Sequence, residues 1–362
     1  MDVTFSTEQR DLQQVLRDVL AREDDAQLWK RLTAELGLAG ISVPEEVGGA
    51  GGSTIELGIV VGELGRVLAP VPFLQTMVAG TVLARSAAGR DTGLLPDLAD
   101  GRLVGGLASP GTTPPVAART DEGLRIDGVL DHVVDGPRLD VVLTPVTVDG
   151  TAVLAAVRRD ADRAETTTLP TLDQSRPLAR IALHGAQATE VGDAADVARA
   201  HDLLLAAVAV ESAAAARSCL DMTVEHLKVR VQFGAPIGSF QALQHRCADL
   251  AVLVEAATST AWYALWAVGS DDEPRGGSVT APLAKVYAAQ AFRRVAGEMI
   301  QLHGGIGFTW EHPAHRYFKR ATSTGLLFGG RSWARGLVSE RAGLGLWATG
   351  PRDRSSDRAS SR

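Results

Sequence analysis

Apolar positions recur in steps of three and four over two long stretches in the last third of the chain. Ala206, Val210, Ala213, Ala216, Leu220, Val224 and Leu227 share one helical face, and Leu243, Cys247, Leu250, Val254, Ala257, Ala261 and Leu265 share another. Gly234, Pro236 and Gly238 lie between them. Proline lacks an amide donor and glycine is costly inside a helix, so the chain turns there, with Ser239 as the expected N-cap of the second helix. The pattern predicts a helical hairpin with Arg230 at its tip. A third periodic stretch begins at Pro282, places Ala288, Phe292, Val295, Met299 and Leu302 on one face, and stops at Gly304 and Gly305. A short fourth runs from about Trp333 to Ala342 and ends at Gly343 and Gly345. Four such helices predict a bundle.

The start of the chain also reads as helical. Ser6 followed by Gln9 has the form of a capping box, and Leu12, Val15, Leu16, Val19 and Leu20 make an amphipathic stripe behind it. Leu36 to Gly49 is a hydrophobic segment ending in a Gly-rich turn, followed by a helix through Glu56, Glu63 and Leu64. From Leu103 to about Val191 the period changes to two: Leu124 and Ile126 alternate with polar residues, Asp140 to Thr144 is a short apolar run, and Ile181 and Leu183 alternate again. Asp149-Gly150, before Thr151 to Val157, is a strong two-residue hairpin turn. The fold class expected is α+β, with helical residues 1–102, a small middle β domain 103–192, helical residues 193–349, and a polar tail 350–362 expected to be disordered.

Composition narrows the function. The chain has 362 residues, 45% hydrophobic and 22% charged, with a net charge of -7, a balance that argues against nucleic acid or an anionic membrane as partner. Cys219 and Cys247 sit inside helical patterns without a close-spaced partner, as expected of free thiols in a reducing compartment, and no metal site is expected. The first residues carry no basic segment leading into an apolar run, and no run reaches 18 uninterrupted apolar residues, so the expected location is cytoplasmic. Neither a Gly-x-Ser-x-Gly elbow nor a phosphate-binding Gly-x-x-x-x-Gly-Lys loop occurs.

An arginine in a loop is ordinarily a solvated one. Here Arg230-x-Gln-Phe-Gly-x-Pro-Ile-x-x-Phe-Gln241 is followed by Gln-Leu-His-Gly-Gly-Ile-Gly-Phe at 301–308, and the pair closely resembles the signatures of the acyl-CoA dehydrogenase family. The resemblance covers nearly the whole chain and implies an acyl-CoA dehydrogenase-like fold: an N-terminal helical domain over the acyl pocket, a central small β-barrel or sheet, and a C-terminal four-helix bundle. It implies flavin adenine dinucleotide (FAD) at a subunit interface, an acyl-CoA substrate and an electron-transfer flavoprotein as acceptor. Within it, Arg230 pairs with the cofactor's diphosphate, Phe233 and Gln241 line the cofactor of one subunit or its neighbour, and Gln301, Gly304 and Gly305 approach the adenosine half.

The family's catalytic base removes an α-proton while the flavin takes a hydride from the β-carbon. Of its two family positions, one aligns with Gly329 in Phe328-Gly-Gly-Arg-Ser332 and the other with Leu204, and neither residue can take a proton. Asp202, two residues from Leu204, is a candidate base and equally a helix-start residue near the positive end of the dipole; Glu211, further along, is expected to be structural. His132 and Val134 stand where the family places a Trp and a Thr against the flavin, and Leu107 to Gly111 lacks the family's Gly-Ser-Asp element. The chain thus resembles the shorter, base-lacking subunit of heterotetrameric members, paired with a longer base-bearing homologue, while a homo-oligomer stays open. Two alternatives remain at this point: a non-catalytic binding or scaffold subunit, and a flavin monooxygenase or oxidase on the same fold.

Overall fold

The structure, a computed structural model, describes residues 5–22, 25–86, 89, 92–109, 113–159, 163–270 and 278–344. The expected tail 350–362 and the stop at Gly345 lie outside these residues. Helix α1 (Thr7–Leu20) begins with the expected capping box, in which Ser6 accepts from the Gln9 amide and the Gln9 side chain returns the bond. Leu16 is fully buried, whereas Val15, expected in the same stripe, is 46% exposed because it lies on the flank of the face that Leu12, Leu16 and Val19 press inward. Helix α2 (Asp25–Lys30) follows, then α3 (Thr54–Val67), which carries a second capping box from Ser53 and Glu56. Glu63 on α3 ties the two layers together: it accepts from Arg17 Nε at 3.0 Å and from Gln13 Nε2 at 2.7 Å on α1. Helix α4 (Phe73–Arg85) is buried from Phe73 to Ala84, and a short α5 (Leu95–Ala99) leads into the strands.

The middle of the chain closes on itself. Strands β1 (Gly105–Leu107), β2 (Val116–Thr120), β3 (Gly123–Val134), β4 (Val141–Val148), β5 (Thr151–Arg158), β6 (Ala164–Leu169) and β7 (Leu178–Gly192) form one sheet. Strand β4 pairs with β5 along one edge and with β1 and then β2 along the other; β2 pairs with β3, β3 with β7, and β7 with β5, completing a barrel. Asp149 and Gly150 both take positive φ, the mirror-image turn their sequence predicts, and join β4 to β5 in the register Val148 to Thr151. Leu124, Ile126, Ile181 and Leu183 point into the barrel core as their alternation requires.

Helix α6 (Ala194–Val229) starts at an Asp193 cap and runs against every other layer. After it come a two-rung ribbon, β8 (Val231–Gln232) with β9 (Ala235–Pro236), then α7 (Gln241–Gly269), α8 (Thr280–His303), α9 (Ala314–Leu326) and α10 (Arg331–Arg341). Three expectations are corrected. Ser239 does not cap α7: the helix starts at Gln241 after Phe240, and the Ser239 hydroxyl donates to the Pro236 carbonyl at 2.7 Å. Helix α9 was not expected, because its buried face is made of Ala314, Tyr317, Arg320, Ala321 and Thr324 rather than aliphatic residues. Asp202 is not at a helix start but well inside α6.

One core runs from Leu16 through Leu57, Met77, Leu204 and Ala261 to Phe328, so the first and last thirds share it; a second fills the barrel and a third, around Cys219 and Phe292, fills the far end of the bundle. By length and composition alone, α6 and α7 could cross a membrane, but 83% of the apolar window of α6 is buried inside the fold. The corresponding share in α7 is 39%, and this helix exposes Val252, Tyr263 and Trp266.

Where barrel and helices meet, a buried ionic network replaces apolar packing. Glu211 of α6 binds Arg176 and receives Arg320 Nη1 at 3.1 Å, and Arg320 also binds Asp173 and donates to Ser175 Oγ at 2.8 Å. Glu211 is therefore structural, as expected. Asp135 faces the same network, and burial lifts its carboxyl from an ordinary 3.8 to about 6, against the pull of Arg176, Arg138 and Arg320. A raised carboxyl favours the fold most below pH 4 and loses that contribution as pH rises through about 6, roughly 3 kcal/mol in all. Asp135 has φ of 56°, a conformation asparagine tolerates. Asp135→Asn is therefore expected to unfold about 3 kcal/mol harder than the parent at pH 7 and no harder at pH 4; equal gains at both pH values in denaturant titrations would contradict this.

Candidate functional site

Helix α6 ends at Arg230, whose amide still bonds the His226 carbonyl at 2.9 Å while its ψ of 118° turns the chain outward. Phe233 and Gly234, with φ of 53° and 78°, make the tight turn of the β8–β9 ribbon, and the Ile237 amide returns to the Arg230 carbonyl at 2.8 Å. The ribbon leaves Phe233 93% exposed, its ring edge-on to Phe240 at 6.3 Å, and Gln241 opens α7 beside it, also exposed. No ion pair engages the exposed Arg230 guanidinium among the described residues.

Helix α8 brings the second motif to the same end. It stops at His303, and Gly304 takes φ 61° and ψ -137°, a region closed to residues with a side chain. A methyl group added at Gly304 or Gly305 would touch nothing within 4 Å, so backbone there is open to a ligand, and Gln301 lies exposed one turn before. The two helix ends are held together by the His226 and His303 rings, stacked 4.4 Å apart. Arg230, with Phe233 and Gln241 beyond it, thus shares one end of the bundle with Gln301, Gly304 and Gly305. An unpaired guanidinium beside two bare glycines fits a dinucleotide's diphosphate.

Of the two positions expected for the base, that of Gly329 lies elsewhere, at a cavity of about 400 Å³ between the barrel and the loop that joins α9 to α10. Ser109, His132, Gly329 and Trp333 all line it, which brings together three of the positions where the sequence departs from its relatives. His132, at φ 54° in the bulge between Leu130 and Val133, faces it; Val134 is buried on the opposite side, toward Asp135, and Pro110 and Gly111 lie outside the described residues. No carboxylate lines this cavity among the described residues. Gly329 has φ 72°, and a Cβ placed there would stand 2.1 Å from the Trp333 ring. The indole occupies the space a base would need. Lys285, buried beneath, donates to the carbonyls of Leu327 at 2.9 Å and Gly329 at 3.0 Å, and burial brings its amine down to about 8.

Leu204 is buried in the shared core and does not reach the cavity. Asp202 is buried too, bound to Arg341 Nη1 at 2.6 Å and to the Ser278 amide at 2.9 Å, which places it in a structural tie between α6 and α10. Asp202→Asn is expected to leave turnover of the assembled enzyme unchanged while lowering its melting temperature; a thousandfold loss of rate with an unchanged melting temperature would make Asp202 the base instead. Trp333 and Lys285 were not singled out in the sequence, where each reads as an ordinary helix residue.

Two family models match the chain: the N-terminal domain of acyl-CoA dehydrogenases over residues 6–102 and the C-terminal domain over 205–343. Acyl-CoA dehydrogenase IpdE2 of Mycobacterium tuberculosis is 38% identical over 317 residues, 87% of each protein. A chain of the ChsE4–ChsE5 complex from Mycobacterium tuberculosis superposes with a TM-score of 0.87 at 28% identity, covering 95% of this chain and 99% of that one. A variant of the Tcur3481–Tcur3483 steroid ACAD superposes with a TM-score of 0.85 at 28% identity, covering 93% and 98%.

Proposed function

The chain belongs to the acyl-CoA dehydrogenase family, oxidoreductases acting on CH–CH groups, and we propose that within it this chain is the base-lacking subunit of a heteromeric enzyme. Its partner is a longer homologue that carries the catalytic glutamate, its substrate a bulky acyl-CoA thioester, and its electron acceptor an electron-transfer flavoprotein. The two-component names of the ChsE4–ChsE5 and Tcur3481–Tcur3483 neighbours, the second a steroid ACAD, support the pairing and the bulky substrate. The observation that carries the reading is the Trp333 indole filling the space beside Gly329 in a cavity without a carboxylate.

The chain's own contribution is binding. Arg230 would supply a charge partner for the diphosphate of FAD, the exposed backbone at Gly304 and Gly305 would hold the adenosine half with Gln301, and Phe233 and Gln241 would line the cofactor across the subunit interface. A bound flavin would supply the hydride acceptor for the β-carbon of the thioester. The α-proton leaves to the partner's glutamate, because no carboxylate of this chain lines the cavity among the described residues. The free Cys219 and Cys247, one buried and one half-buried, suit a reducing cytoplasmic setting.

Purifying the chain alone and with a longer homologue, then recording flavin per subunit and bleaching by acyl-CoA thioesters, tests the reading. Only the pair is expected to be yellow and to bleach; a lone chain that does both is a complete dehydrogenase and ends the proposal. In the pair, Arg230→Ala is expected to weaken flavin retention roughly tenfold to a hundredfold, the worth of a charge-assisted contact. Full yellow colour after desalting the variant would remove Arg230 from the cofactor site.

A further inference from the structure

The end of the bundle that carries Arg230 holds a second basic element. His226 lies one turn before Arg230, so both leave the same face of α6. Its ring stacks on His303, the residue next to Gly304, and His303 meets His312 on its far side at 4.3 Å. The three imidazoles differ in their freedom to take a proton. His303 is buried, with Nδ1 donating to the Met299 carbonyl at 2.7 Å. His312 Nδ1 accepts the Ala314 amide at 3.2 Å, a bond that requires that nitrogen unprotonated. His226 is half-exposed, and among the described residues no hydrogen bond holds either of its ring nitrogens.

The groups around His226 are neutral or cationic: Arg230 on its own helix, His303 on α8, and His312 and His315 before and on α9. The nearest carboxylate on α6, Glu225, is exposed and already paired with Lys228 at 2.6 Å. Burial first, then the charges of His303 and Arg230, hold the His226 imidazole below its ordinary value. A diphosphate reverses that balance by bringing negative charge to a place where none stands.

We propose that His226 is a second, proton-dependent contact for the diphosphate that Arg230 holds, its ring fixed at the site by the stack on His303. The inference rests on the reading of Arg230 given above. Binding then takes up a proton, and affinity rises as pH falls.

Calorimetric titration of the flavin-stripped pair with ADP and with inorganic pyrophosphate, near pH 6 and near pH 8, in buffers of different ionisation heat, tests this. Wild type is expected to bind both ligands roughly threefold to tenfold more tightly at the lower pH, with net proton uptake. His226→Gln and His226→Asn are expected to bind still, with less proton uptake and a flatter pH profile than wild type, what remains being the ligands' own phosphate protonation; two variants are used so that one that fails to fold leaves the comparison intact. Uptake as large in both variants as in wild type, or no wild-type binding of either ligand, overturns the proposal. Arg230→Ala separates the two readings. If it binds as tightly as wild type, the assignment of Arg230 fails, while uptake reduced in the His226 variants would still uphold His226.

Discussion

Gly329→Glu is expected to cost about 2–5 kcal/mol of stability and to create no catalytic base. Two terms add. The residue sits at φ 72°, where a side chain costs about 1–2 kcal/mol, and its Cβ would stand 2.1 Å from the Trp333 ring, an overpacking worth another 1–3 kcal/mol or more. The loop has little room to move aside, because Lys285 holds the carbonyls of Leu327 and Gly329 from below and Phe328 between them is fully buried. Removing the indole should recover part of the loss, so Gly329→Glu with Trp333→Ala is expected to melt closer to the parent than the sum of the single changes implies. Thermal unfolding of the four proteins checks the coupling. A Gly329→Glu variant that melts with the parent, and alone bleaches in acyl-CoA, would show the position to be an open base site after all.

Arg320→Met should be nearly as damaging at neutral pH and almost harmless in acid. The guanidinium answers both Asp173 and Glu211 in a place where neither reaches water. Breaking a buried pair leaves uncompensated charge, which costs about 3–5 kcal/mol. Despite the cost of burial, the arginines hold both carboxyls below their ordinary values. Such groups stabilise the fold above their unfolded values, 3.8 and 4.5, and that contribution is lost as pH falls. The parent loses it on acidification and the variant, left with Arg176 alone, has less to lose, so the difference between them should shrink below about pH 4.5. Denaturant midpoints at pH 7 and pH 4 decide the matter: a penalty that stays constant would mean that packing of the long side chain, not its charge, is what Arg320 contributes.

What the sequence made legible was what neighbouring residues decide. The box of Ser6 and Gln9, the turn at Asp149 and Gly150, and the alternation of Leu124 and Ile126 each depend on positions a few residues apart, and each forms as expected. Ser239 failed as a cap because its hydroxyl had a nearer carbonyl, that of Pro236. Helix α9 escaped notice because its buried face is polar, and that face acquires meaning only through Asp173 and Glu211, residues 147 and 109 positions away from Arg320. The candidate site divides the same way. Arg230, Phe233, Gln241, Gln301, Gly304 and Gly305 were found from motifs, and the fold gathers the ends that carry them. That Gly329 cannot hold a side chain follows from Trp333, four residues on, through a backbone path invisible in the letters. Asp202 looked like an available acid because its partner Arg341 lies 139 residues further along the sequence.

The core that runs from Leu16 to Phe328 has a consequence for how this polypeptide comes off the ribosome. Residues of α1, α3 and α4 emerge first, yet the surface they must cover belongs to α6, α7 and α8, with the whole barrel still to be made in between. Until α6 is complete, the early helices have no permanent place to hide Leu57, Met77 and Leu83. The barrel, by contrast, has a core of its own and can close as soon as β7 is out. Synthesis should therefore pass through a state with a finished barrel flanked by a sticky amino-terminal arm, the stage at which chaperones, or a nascent homologue, would find the chain most receptive.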